Sequence, residues 1–358
     1  MTEIRAEMRL PTQDLAADLH FFTGLLQMRL DMIAPADNPQ VAVVSGHGLR
    51  LRLQCGAPDA PGAIRLLTDQ PEVFADRVMI APNGTRVEVE ALYPPLTVPQ
   101  TAHAFGVRRL ADQAPWVIGR AGMHYRDLIP SRLGGAIIAS HIRIPDGGPV
   151  PDMVHFHKVG FQLIFCVAGW VDVVYEDQGP PIRLCAGDCF IQPPEIRHRV
   201  LKASDGLEVI EIGVPAEHVT EIDHQMVLPT PHHRPDREWQ GQRFVHNVEA
   251  GAPWRPARIP GFAARDTTIN AATKGVASVM VLRPVGAAAV TAHDTDILFS
   301  YVMRGEMTLT GQGTDPLHLT RGDAFVIPPD FSAAYTRMTT DLELLEVSLP
   351  GVFQTVVL

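Results

Sequence analysis

The stretch Val154–Gln162, VHFHKVGFQ, places His155 and His157 two residues apart in a run of strand-forming residues. Successive side chains of a β-strand point to opposite faces, so both imidazoles share one face and can converge on one ion. Gln162 follows five residues after His157 and would face away from them if the strand ran straight. Gly160 lies between and offers a break or bulge that resets the parity. Further on, GDCFIQPPEIRH (Gly187–His198) opens a strand with a Gly-Asp turn, ends it at Pro193-Pro194, and brings His198 back toward the same centre. Three imidazoles and one amide oxygen form a donor set for a divalent first-row metal, with coordination positions left for substrate or oxygen.

The surrounding segment is repeated. Residues 150–200 and 286–335 share Gly169 with Gly305, Gly187-Asp188 with Gly322-Asp323, and Pro193-Pro194 with Pro328-Pro329, all at an offset of 135 or 136 residues. Each copy alternates short apolar runs with turns, the pattern of a small antiparallel barrel or jelly roll. Between them LPTPHHRPDREWQGQ (Leu228–Gln242) is polar and proline-containing, as an interdomain connection should be.

With 358 residues the chain is long enough for two or three domains. An apolar fraction of 46% and a charged fraction of 20% are ordinary for a soluble globular protein, and a net charge of −10 argues against nucleic acid or an anionic membrane as partner. Cys55, Cys166, Cys185 and Cys189 have neither disulfide-framework nor CxxC spacing, which points to a reducing compartment. The first residues hold no apolar signal-peptide core, and the longest apolar run, Leu163–Val171, is far short of the ~20 residues that span a bilayer. The expectation is a cytoplasmic, soluble protein.

Near the start, DLAADLHFFTGLL has apolar residues at Leu15, Leu19, Phe22, Leu25 and Leu26, a helical spacing, with Asp14 as N-cap. A strand-like stretch precedes it and QMRLDMI, QVAVVSG and LRLRLQC follow. Over about the first 55 residues this order resembles the vicinal-oxygen-chelate (glyoxalase-like) module. The position where that family usually places a metal ligand is matched by Glu7, and no second half-module is visible between Gly56 and Ala114. A packing or dimerisation module is the expectation.

His155, His157, Gln162 and Gly169 match the first motif of the cupin superfamily, and Gly187, Pro193 and His198 match the second. Gln162 replaces the customary glutamate, and Glu195 the customary internal glycine. With the repeat, the chain resembles bicupins over about two-thirds of its length. The resemblance implies a mainly β fold of two cupin (double-stranded β-helix, jelly-roll) barrels after a small α+β glyoxalase-like module. The expected domains are residues 1–115 (module and linker), 116–228 (metal-binding cupin) and 229–358 (degenerate, structural cupin). In the second repeat Thr291, His293, Leu298 and Ala333 stand at the four ligand positions, so one ligand type of four survives there.

A glutamine ligand leaves a divalent ion with three histidines at net +2, favouring an anionic ligand, and it cannot act as general base. Glu195, His141 and Glu211 are the candidate proton acceptors. Phe161 or Ile164, Phe190 and Ile191 are expected to line an apolar wall, with Cys166 and Gln192 as polar points and Arg143 available for an anionic substrate. The resemblance favours a mononuclear dioxygenase with one Fe(II) per chain, acting on a small phenolic, enolic or thiol-containing acid; Zn, Mn or Ni are alternatives. A redox-neutral isomerase, lyase, decarboxylase or hydrolase and a non-enzymatic small-molecule binder are the competing readings. The expected partner is a small, anionic substrate, with the chain as a homodimer.

Overall fold

The computed structural model describes residues 6–35, 39–112, 116–119 and 122–358. It has two units, Met1–Pro95 and Leu96–Leu358; the boundary expected at residue 115 lies outside the described residues.

The N-terminal unit starts with the strand Met8–Thr12, which pairs in parallel with Leu49–Cys55 in a four-stranded sheet of order first, fourth, third, second. Asp14 caps the intervening helix, its carboxylate accepting from the Ala17 N–H at 3.0 Å. From His20 to Leu25 the helix widens to a π-helix. That wider turn moves the apolar face by one residue, so Phe22 and Leu26 are buried while Leu25 is 52% exposed. Three further strands repeat the order in shortened form: Ala63–Thr68 runs parallel to Arg86–Ala91, which pairs antiparallel with Val78–Ile80. The short strands and the single 3-10 turn between them explain why this second set has no readable helical or strand period.

The larger unit is mainly β and consists of two jelly-roll barrels. In the first, a seven-stranded sheet runs Val245–Asn247, Cys189–Ile191, Phe161–Ala168, Leu207–Val214, Ile138–Ile144, His124–Asp127, Val117–Ile118. The opposing sheet carries Ile182–Cys185, Trp170–Tyr175, His198–Ala203, His155–His157 and Thr220–Ile222. The second barrel repeats this plan around Ile297–Arg304, Glu343–Leu349 and Thr291–His293.

The strand Phe161–Ala168 is buried on both faces. Phe161, Leu163 and Phe165 pack with Val279, Phe299 and Val347 of the second barrel, whereas Cys166 and Ile164 belong to the interior of the first. Burying each large apolar side chain is worth about 1.5–3 kcal/mol, so the two barrels share one core.

Each barrel also borrows a strand. Gly106–Arg108, which precedes the first barrel, pairs with Ala324–Ile327 of the second. Val245–Asn247, which precedes the second, pairs with Cys189–Ile191 of the first. The repeated aspartates hold these exchanges in place. Asp188 accepts from the N–H groups of Cys185 (3.0 Å) and Glu249 (2.8 Å), and Asp323 from those of Thr320 (2.8 Å) and Leu110 (2.7 Å). Gly169 and Gly305 are required for another reason: both have positive φ, 75° and 67°. A Cβ there would come within 3.2 Å of the Leu207 backbone or 2.8 Å of the Leu342 backbone.

Asp188→Ala and Asp323→Ala should each cost about 2–4 kcal/mol, because two charge-assisted bonds at a buried turn are lost. Exposed Asp146→Ala should change stability by less than about 0.5 kcal/mol. Chemical denaturation compares the three; equal midpoints would refute the clamp.

Candidate metal centre

His155 and His198 stand directly opposite each other on adjacent strands, and Tyr175 continues the row on the next strand. His157, two residues along, shares their face. The three rings lie with centroids 4.2, 5.1 and 5.3 Å apart, and their ligand atoms all fall within 4.8 Å of one another. All three residues are buried. Among the described residues no other group of three or more His, Cys, Asp or Glu side chains gathers in this way.

The outer hydrogen bonds set the tautomers. Nδ1 of His155 lies 2.7 Å from the Met153 carbonyl and Nδ1 of His198 lies 3.0 Å from that of Ile196. A carbonyl only accepts, so both Nδ1 atoms carry the proton and both Nε2 atoms keep their lone pairs. His157 Nδ1 is held at 2.8 Å from the Thr220 hydroxyl, and Asp152 lies 3.6 Å from His155. Such partners orient metal-binding imidazoles.

Gln162 enters from the other sheet. Between His157 and Phe161 the chain leaves one sheet and joins the other, with Gly160 N–H bonded to the Val214 carbonyl at 2.7 Å. Parity is therefore reset by a change of sheet rather than by a bulge in one strand. Gln162 is 1% exposed, and its Nε2 donates to Glu211 Oε1 at 2.6 Å. A carboxylate that engages the amide nitrogen fixes which end is which, leaving Oε1 as the other pole. That oxygen is buried and has no hydrogen-bond partner among the described residues. An orphaned acceptor costs about 1–3 kcal/mol, a cost that coordination would remove. Three neutral imidazoles and this oxygen fit a divalent first-row ion.

The adjoining cavity, about 70 Å³, is walled by Ile142, Ile164, Val173, Phe190 and Val209, with His157, His198, Tyr175, Gln192 and Glu211 as polar points. A wider pocket of about 390 Å³ shares Tyr125, His157 and Glu211 and adds Ser140, His218 and Thr220. Gln192 Nε2 donates to the Tyr175 hydroxyl at 2.9 Å, and burial pushes that phenol well above its ordinary pKa. Tyr175 thus keeps its own proton to donate. Tyr125, Tyr175, His218 and Thr220 carry no local signal in the sequence, because they come from strands and loops far apart in the chain.

Other expected site residues lie elsewhere. Phe161 and Ile191 belong to the core between the barrels; only Ile164 and Phe190 face the cavity. Cys166 is fully buried beside the Ala168 and Gly169 carbonyls, and burial pushes its thiol up to about 12. Glu195 occupies a left-handed turn (φ 65°) that delivers its N–H to the His157 carbonyl at 3.0 Å, and its side chain does not line either pocket. This conformation accounts for glycine being customary at that position. His141 and Arg143 point to the opposite face of their strand, where both meet Glu208 at 3.0 Å. Glu211 is the carboxylate that does reach the cavity.

In the second barrel Thr291 pairs with Ala333 as His155 pairs with His198. His293 is held by the Ile327 carbonyl at 3.2 Å, and Glu346, at the repeat position of Glu211, forms a buried ion pair with Arg258. Arg258 thereby neutralises the carboxylate at the repeat position of Glu211.

Purified protein should bind one divalent ion per chain, and His157→Ala or His198→Ala should weaken binding at least tenfold, read by metal analysis after dialysis. Alkylation of the native protein at pH 8 should label exposed Cys185 and spare Cys166 and Cys189. Labelling of Cys166 at the rate of Cys185 would contradict its burial.

No family model and no curated protein sequence matches this chain. Solved structures do. Salicylate 1,2-dioxygenase from Pseudaminobacter salicylatoxidans aligns over 73% of this chain and 90% of its own, with TM-score 0.53 and 16% identity. Oxalate decarboxylase from Lactobacillus farciminis aligns over 74% and 92%, with TM-score 0.53 and 15% identity. A single-substitution variant of the oxalate decarboxylase from B. subtilis aligns over 75% and 82%, again at 0.53, with 13% identity. At such identities the likeness concerns the fold, and together with the two barrels described above it gives this chain a bicupin fold.

Proposed function

We propose that this protein is a mononuclear metal-dependent cupin enzyme, a dioxygenase that uses iron(II) on a small phenolic, enolic or thiol-containing acid. The observation that carries the reading is the buried His155/His157/His198 group, together with Gln162, whose buried Oε1 has no hydrogen-bond partner among the described residues. When bound, such an ion supplies Lewis acidity toward an anionic ligand and, as iron(II), electron transfer with oxygen. The chain's own residues supply the rest. Glu211 is the proton acceptor, held by Gln162 Nε2 and facing the cavity. Tyr175 is a donor, and the apolar lining keeps bulk water from the reacting groups. A bicupin neighbour, a salicylate dioxygenase variant in complex with gentisate (TM-score 0.51, 17% identity), supports phenolic acids as the first class to try.

A redox-neutral reaction, such as decarboxylation, is the second reading. It is favoured by the absence of a carboxylate in the donor set and by Glu211 standing ready as a base. We also read the N-terminal unit as a vicinal-oxygen-chelate-type packing module, on the strength of its sheet order. Glu7 is engaged there by Arg50 at 2.9 Å. No helix of the described residues is long and apolar enough to cross a membrane; four unpaired cysteines fit a cytoplasmic setting.

Anaerobic addition of gentisate, salicylate and small thiol acids to iron-loaded protein, followed by oxygen, should give uptake matched to product. Turnover by zinc- or manganese-loaded protein without oxygen uptake would replace this reading with the redox-neutral one. Glu211→Gln should lower kcat by about 10² or more with metal content retained. Gln162→Glu should shift metal preference and rate; an unchanged profile would show that the neutral ligand is irrelevant.

A further inference from the structure

Between the two barrels, away from the metal centre, lies a second polar cluster. Arg126 and Arg143 come from the first barrel, Tyr301 and the Gly322 carbonyl from the second, and Trp116 packs against both guanidiniums and His141. Arg126 is 2% exposed. It donates from Nη2 to the Gly322 carbonyl at 2.5 Å and toward His141 Nδ1 at 3.4 Å, while Nε and Nη1 have no hydrogen-bond partner among the described residues. Arg143 Nε, Arg108 Nε and the Tyr301 hydroxyl, all buried atoms, likewise have no hydrogen-bond partner among the described residues.

The carboxylates nearby are already committed. Glu208 faces His141, Arg143 and Arg321 at 3.0, 3.0 and 3.3 Å. Asp323 accepts from two backbone N–H groups. His141 donates Nε2–H to Glu208, so its Nδ1 is an acceptor and adds no charge. Arg108, Arg126, Arg143 and Arg321, the last 54% exposed, therefore gather with two carboxylates, and the most deeply buried of the four has no carboxylate partner among the described residues. Burying an uncompensated guanidinium is far costlier than burying a paired one.

We propose that a small monovalent anion of the chloride class is bound between the barrels by Arg126, Tyr301 and Arg143. It offsets the excess charge, accepts the unpartnered N–H and O–H donors, and ties the two barrels at a point where their shared core is polar. A carboxylate-bearing substrate is not the occupant, because Ile138, Ser140, Ile142 and Ile144 alternate with His141 and Arg143 and face the metal cavities on the other side of the sheet.

Crystals soaked in bromide and measured at its absorption edge should show an anomalous peak within hydrogen-bond reach of Arg126 Nη1 or Tyr301 Oη. In solution, replacing gluconate by chloride at constant ionic strength should raise the thermal midpoint by about 2–4 °C, saturating in the millimolar range. Arg126→Met and Tyr301→Phe should lose at least half of that rise. Where Arg126→Met does not fold, Tyr301→Phe decides alone. A peak at molar bromide without a saturable chloride response would mark an adventitious ion only and overturn the proposal. So would an undiminished chloride response in Tyr301→Phe, or ordered water at these atoms with no dependence on chloride.

Discussion

The strand Phe161–Ala168 is committed on both faces, and the metal centre depends on that commitment. Its odd-numbered residues are locked into the core shared by the two barrels, and its even-numbered residues face the first barrel's interior. A slip of one residue would expose Phe161, Leu163 and Phe165 to the wrong side and carry Gln162 out of the site. Apolar packing between the barrels therefore holds the position of a buried polar side chain, Gln162. The Asp188 and Asp323 clamps extend the same logic, because each pins a strand that one half of the chain lends to the other.

Within that frame Gln162 and Glu211 form a pair joined by one hydrogen bond. The amide offers a neutral oxygen, and the carboxylate stands one step back, on the next strand and diagonal to Gln162. A carboxylate thereby stays at the cavity although Gln162 itself is neutral. The second barrel followed a different course from the same template. Its equivalent carboxylate, Glu346, is neutralised by Arg258 inside the protein, and burial with Arg258 nearby lowers the pKa of His293 below the ordinary imidazole range. A neutral His293 against a carbonyl and a buried ion pair serve packing, and the pair is costly to break from one side only.

Much of this was legible in local patterns. His155, His157 and His198 were readable because two-residue spacing on a strand fixes a shared face, and the repeated Gly-Asp and Pro-Pro pairs marked the turns that return the chain to the centre. Cys166, His141, Arg143 and Glu195 were readable only as residue types near the motif. Strand parity assigns Cys166 to the interior, yet packing leaves its thiol against carbonyls instead of the cavity. His141 and Arg143 share a parity too, but nothing local tells which face of an internal strand looks into its own barrel and which toward its neighbour.

The sequence by itself determined the bicupin architecture, the three histidines, the loss of ligands in the second repeat and the neutrality of Gln162, since each follows from spacing, repetition or residue chemistry. Only the tertiary structure decided that Glu211 holds Gln162, that Tyr175 and His218 join the pockets, and that the barrels exchange strands and enclose a basic cluster between them. Those features depend on side chains and strands brought together across dozens to hundreds of residues. Such contacts are set by packing of whole sheets, for which a local period carries no record.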